Sequence, residues 1–73
     1  MSKTLTDRQV KNYVKLLNEY AKEPGRIEFF DGAIWYFGTE VATLRLALKY
    51  RHSDKTSYGY SSNLDSFYFK LEI

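Results

Sequence analysis

Apolar positions along this chain follow two periods, and the change from one to the other divides it. From residue 6 to residue 22, Val10, Tyr13, Val14, Leu17, Tyr20 and Ala21 recur at helical spacing and form a single stripe. Thr6 is suited to cap the start, and Gln9, three residues on, completes a Thr-x-x-Gln capping box. Leu5 and Val10 are spaced for a hydrophobic staple across that cap. Lys22 is placed in the last turn, and Glu23-Pro24-Gly25 ends the helix. Arg8, Lys11, Lys15 and Lys22 lie opposite the apolar stripe, with Glu19 interrupting the row and Asn12 and Asn18 beside it. An ordinary solvated helix face explains this row better than a phosphate-tracking one.

Beyond Gly25 the period drops to two. Arg26-Ile27-Glu28-Phe29-Phe30 and Ala33-Ile34-Trp35-Tyr36-Phe37 flank Asp31-Gly32, the dipeptide that supplies the two positive-φ positions of a type I′ turn. A tight hairpin then sets Phe30 opposite Ala33, Phe29 opposite Ile34, Glu28 opposite Trp35 and Ile27 opposite Tyr36. Ile27, Phe29, Ile34 and Tyr36 form a core face. Arg26, Glu28, Phe30, Ala33, Trp35 and Phe37 form the other.

Residues 39–51 carry conflicting signals. Propensity favours a helix capped by Thr39 with Glu40 in its first turn. Alternation of Leu44, Leu46, Leu48 and Tyr50 with Arg45, Ala47, Lys49 and Arg51 favours a strand. Plotted as a helix, the leucines surround the cylinder, and a helix here would leave about fourteen residues as one loop. Pattern generally outweighs propensity, so a strand is expected. His52 to Thr56 reads as a turn, Ser57-Tyr58-Gly59-Tyr60 as a short edge strand, Ser61 to Asp65 as a second turn, and Ser66 to Ile73 as a closing strand with Phe67, Phe69, Leu71 and Ile73 on one face. The expected fold is α+β: an N-terminal helix packed on a four- or five-stranded antiparallel meander, in a single domain spanning residues 1–73. The alternative, with a helix at 39–51, is α-β-β-α-β.

Composition narrows the chemistry. A chain of 73 residues buries only about 60% of the surface it exposes when unfolded, so one thin core must carry it. Cysteine is absent, which removes disulfides and thiolate chemistry and suits a reducing, cytoplasmic setting. With 44% hydrophobic residues the sequence is too apolar for disorder, and no apolar run is long enough to span a bilayer. Met1 to Asp7 shows no hydrophobic stretch behind its charges, so no secretory leader and no membrane association are expected. Eleven basic against nine acidic side chains leave a net charge of +2, weak for a nucleic-acid module.

No catalytic or metal-binding constellation is visible. His52-Ser53-Asp54 holds the letters of a hydrolase triad, yet neighbours in one turn point in different directions, and a polar turn is the better reading. One histidine and scattered acids do not make a transition-metal site. Each glycine sits at a turn or edge position, not in a phosphate loop. The chain is therefore expected to be non-enzymatic, without catalytic residues, metal or cofactor.

What remains is surface. Tyr, Phe and Trp make up 18% of the chain, and in the strand reading Phe30, Trp35, Phe37 and Tyr68 share the outer sheet face with Arg45, Lys49 and Arg51. Arg26, Glu28, Lys70 and Glu72 lie among them. Trp, Tyr and Arg dominate protein–protein hot spots, so these seven residues are the candidate contacts for a protein partner. Aromatic and basic residues also suit single-stranded nucleic acid, which is the alternative partner. Closure of the sheet over Trp35 and Phe37 as a second small core, or a homodimer through this face, would be a simpler use of the same residues. In size and composition the chain is similar in style to phage-encoded inhibitors of host or defence enzymes, though no motif identifies a family.

Overall fold

The computed structural model describes residues 5–73; the expectation about a leader rests partly on residues 1–4, which lie outside the described residues. The element order is α1 (Asp7–Ala21), β1 (Arg26–Phe30), β2 (Ala33–Gly38), α2 (Glu40–Lys49), β3 (Thr56–Ser61) and β4 (Ser66–Glu72). The fold is α+β. Its four strands form one antiparallel sheet in the order β1-β2-β4-β3, with α2 inserted between the second and third strands, so the sheet is not a simple meander.

Helix α1 starts where its capping residues dictate. Thr6 N–H donates to Gln9 Oε1 at 2.9 Å, and Gln9 N–H donates to Thr6 Oγ1 at 3.2 Å. At the other end Lys22 is not in the last turn; it is the cap itself, at φ 61°, with its N–H donating to Asn18 O at 3.0 Å. Asp31 (φ 54°) and Gly32 (φ 67°) form the expected hairpin turn, and β1 pairs with β2 in the register the turn imposes, from Phe30↔Ala33 to Arg26↔Phe37.

Residues 40–49 are helical, not a strand. The Thr39 side chain accepts from Ala42 N–H at 3.2 Å, and Glu40 and Lys49 sit at the ends that the helix dipole favours. The face that packs is Ala42, Thr43, Leu46, Ala47 and Tyr50, a proper helical stripe built largely from small residues. The alternating leucines masked it. Only Leu46 is buried, while Leu44 and Leu48 are 40% and 63% exposed and do not join the core. No fourteen-residue loop follows α2, because β3 occupies part of that stretch.

Both helices lie on one face of the sheet. Leu17, Ala21, Ile34, Tyr36, Ala42, Leu46 and Phe69 are fully buried between the layers. Tyr36 is the most constrained of them. Its hydroxyl donates to Glu23 O at 2.8 Å, and its ring is gripped by Gly25 and Gly38. A Cβ at Gly38 would lie 2.8 Å from the ring, and one at Gly25 would overlap it. Around this ring the end of α1 is tied to α2: Thr39 Oγ1 donates to Glu23 Oε1 at 2.8 Å, and Arg45 donates to Ala21 O at 3.1 Å. No described helix is long and apolar enough to cross a membrane.

Two stability predictions follow from this packing. Gly25→Ala drives a methyl into the Tyr36 ring and should cost about 2 kcal/mol in urea denaturation, whereas Tyr36→Phe leaves the Glu23 carbonyl unpartnered and should cost about 1–2 kcal/mol. Burial, reinforced by Glu23, raises the Tyr36 phenol above its ordinary value of 10.0. Tyr50 is raised by burial, then by Tyr20 and Tyr13. Folding therefore favours the protonated phenols, so their contribution is complete below pH 10 and is lost as pH rises through the raised values. Alkaline titration of the folded fraction should show a fall above about pH 10, shallower in Tyr36→Phe than in the parent.

Candidate functional site

Pinning Tyr36 inward forces its neighbours Trp35 and Phe37 outward, because strand side chains alternate. On the outer face β2 thus presents Ala33, Trp35 and Phe37, flanked by Arg26, Glu28 and Phe30 from β1 and by Tyr68, Lys70 and Glu72 from β4. Ala33 offers only a methyl between Phe30 and Trp35 and is 1% exposed. The indole leans over toward β1: Trp35 Nε1–H donates to Phe30 O at 3.2 Å. Its ring lies parallel to Phe30, with centroids 4.8 Å apart and planes 1° apart. Phe37 continues the stack at 6.1 Å and 6°, and Tyr68 closes it from β4 at 5.5 Å with a 48° tilt. Four aromatic side chains from three strands thereby form one array with Trp35 at its centre. Each contact of this kind adds about 0.5–1.5 kcal/mol beyond area burial.

The expectation for Phe30, Trp35, Phe37 and Tyr68 is met in position. Their exposures differ: Phe30 is 42% exposed, Phe37 only 6%, and Trp35 and Tyr68 are half-buried. The array is thus partly a small second core, whose cover comes from its own members.

Arg45, Lys49 and Arg51 are not on this face. Their assignment there followed from reading 39–51 as a strand, and the helix carries them to the other side of the sheet. Arg45 holds the C-terminal end of α1 through Ala21 O and lies 3.8 Å from the Glu23 carboxylate. Lys49 sits 4.5 Å above the Tyr20 ring, and Arg51 donates to Leu48 O at 3.0 Å. Among the described residues, the cations that lie against the rings of the outer face are Arg26 and Lys70. Arg26 lies 5.1 Å above Phe37 and pairs with Glu28 at 2.7 Å. Lys70 lies 5.1 Å from the Trp35 centroid and 3.9 Å from Glu72. Each of these two cations therefore has both a ring and a carboxylate, so the charge around the array is locally paired.

A groove of about 540 Å³ runs between this array and the β3–β4 turn. Phe30, Trp35, Phe37 and Tyr68 line one side, and Ser61, Ser62, Asn63 and Leu64 the other. Leu64 is 48% exposed. Sequence reasoning passed over this wall as turn chemistry; the signal was Leu64 itself, an apolar residue in a polar turn that serves no strand or helix period. Tyr60 contacts Asp65 through a hydroxyl–carboxylate hydrogen bond, and this contact raises its phenol pKa. Asp65 has φ 50° and turns the chain back into β4.

The triad letters resolve as a turn. His52 and Asp54 are exposed, while Ser53 N–H donates to Tyr50 O at 2.9 Å and Ser53 Oγ accepts from Lys55 N–H at 3.2 Å. Among the described residues no group of three or more His, Asp or Glu side chains converges as a metal would require. No protein-family model matches the sequence, and neither the curated proteins nor the solved structures compared with it show a significant match.

The array predicts how its tryptophan behaves. Trp35 emission should lie to the blue of a free indole, and acrylamide should quench it more slowly than N-acetyl-tryptophanamide. Phe30→Ala uncovers one indole face and should raise the quenching constant about twofold or more, while far-UV circular dichroism stays native.

Proposed function

We propose that the chain is a non-enzymatic binding module that holds a protein partner through the outer sheet face. The observation that carries this reading is the pairing of an aromatic floor with locally paired charge. Phe30, Trp35 and Phe37 stack on one another, so most of their ring faces are already in use. A nucleic-acid base needs a free ring face, whereas an apolar side chain can seat against ring edges and the exposed Phe30. Arg26 and Lys70 are each matched by a carboxylate on the same face, which weakens the field that phosphates would require. The groove between the array and Leu64 suits one anchoring apolar side chain, with Ser61, Ser62 and Asn63 as hydrogen-bonding rim. A module of this kind acts by occupying its partner's surface, and inhibition is the simplest consequence.

The binding residues on this reading are Phe30, Trp35, Leu64 and Tyr68, with Arg26 and Lys70 orienting the rings. Affinity capture on the immobilised chain, followed by calorimetry on the captured protein, tests it. Trp35→Ala should weaken binding about thirtyfold or more, equivalent to about 2 kcal/mol. Lys15→Ala, on the far side of α1, should leave the affinity unchanged. Binding that survives Trp35→Ala, or that disappears on nuclease treatment, contradicts the reading.

A further inference from the structure

The two edges of the sheet are built differently. β1 carries Arg26 and Glu28 among its five residues and follows directly on Pro24-Gly25, devices that discourage pairing. β3 is Thr56-Ser57-Tyr58-Gly59-Tyr60-Ser61, with no charge and no proline. Glu72 N–H donates to Lys55 O, so in a regular antiparallel ladder residues 55, 57, 59 and 61 bond inward to β4. The N–H and C=O groups of Thr56, Tyr58 and Tyr60 then point outward along the edge that β3 forms among the described residues.

Beside this edge lies an apolar groove of about 640 Å³ between α2 and β3. Leu44, Leu48 and Tyr58 line it and are 40%, 63% and 56% exposed. At ~100° per residue, Glu40 and Leu44 lie along the same side of α2 with Leu48 beside them, and Arg51, just past the helix end, lines the same groove, while Arg45 and Lys49 face α1. The stripe runs from an acidic residue at the helix N-terminus to a basic one just past its C-terminus. It is complementary to itself when reversed.

We infer that β3 and the adjoining side of α2 form a twofold interface with a second copy of this chain. A twofold axis normal to the sheet places Tyr58 opposite Tyr58 of the second copy, and Thr56 opposite Tyr60. Every backbone group in that register is an outward-pointing one, so two four-stranded sheets join as a single continuous sheet. The axis keeps both α2 helices on the same side of the joined sheet, each packed over β4 and β3 with its exposed leucines turned toward the shared edge. Antiparallel α2 helices then close Leu44 and Leu48 over the Tyr58 rings and set each Glu40 against the other copy's Arg51. Such an isologous contact needs only one patch to serve both partners. The outer aromatic faces stay free and point the same way.

Sedimentation equilibrium from about 1 µM to about 500 µM tests this inference. The expected result is a reversible species of twice the 8.6 kDa chain mass. Leu48→Lys and Tyr58→Pro should each weaken the dimer at least about tenfold with circular dichroism unchanged; Leu48 is mostly exposed, and proline at 58 removes only an outward N–H. Glu40→Lys and Arg51→Glu should each weaken self-association, and an equimolar mixture of the two should restore it, since opposite charges meet again at both ends of the helix pair. A chain monomeric throughout overturns the inference, including the case in which the edge instead takes up an extended segment of another protein. So does a dimer that tolerates Leu48→Lys and Tyr58→Pro but is lost in Phe30→Ala, which would place the contact on the aromatic face.

Discussion

The structure depends most on the clasp around Glu23. The backbone carbonyl of this residue receives the Tyr36 hydroxyl, its carboxylate receives Thr39 Oγ1, and Arg45 reaches past it to the last carbonyl of α1. One short connection thus fixes the end of the first helix, the middle of a central strand and the start of the second helix. A small domain has little core to spare, and a buried polar group left unpaired would cost a large part of its stability. Two glycines make the clasp possible, because no other residue leaves room for the Tyr36 ring at positions 25 and 38.

The outer face inherits its order from that inner constraint. With Tyr36 fixed, strand alternation leaves no freedom in where Trp35 and Phe37 point. Ala33 then provides the space into which the indole leans, and the hydrogen bond to Phe30 O sets its angle. Arg26 and Lys70 complete the arrangement by capping rings while paired with acids two positions along their own strands. The result is an aromatic surface stacked on itself, whose two ring-capping cations are each paired with an acid. Rigid aromatic anchors lose little entropy on binding, which favours them as contact residues.

Elements whose signals agree were legible in the sequence. The capping box, the Asp31-Gly32 turn and the hairpin register each rest on a local geometric requirement, and each is found as expected. Residues 40–49 were not legible, because the leucines alternate by chance of spacing while the face that packs is made of Ala42, Thr43 and Ala47 around Leu46. Small residues pack helices closely but give weak hydropathy signals. That single misreading displaced Arg45, Lys49 and Arg51 onto the wrong surface and turned a face of locally paired charge into a basic one. The aromatic members survived it, since their placement came from the hairpin and from β4. The Leu64 wall was invisible to any periodic argument, because it depends on how a turn folds back over the sheet.

The central claim is that the aromatic face is already stacked on itself and offers a protein surface, not a platform for bases. Titrating Trp35 fluorescence with single-stranded oligonucleotide at low and at high salt tests this most directly, because the probe sits inside the array. The account predicts emission that does not change at either ionic strength. Saturable quenching at low salt that is reversed at high salt would contradict it.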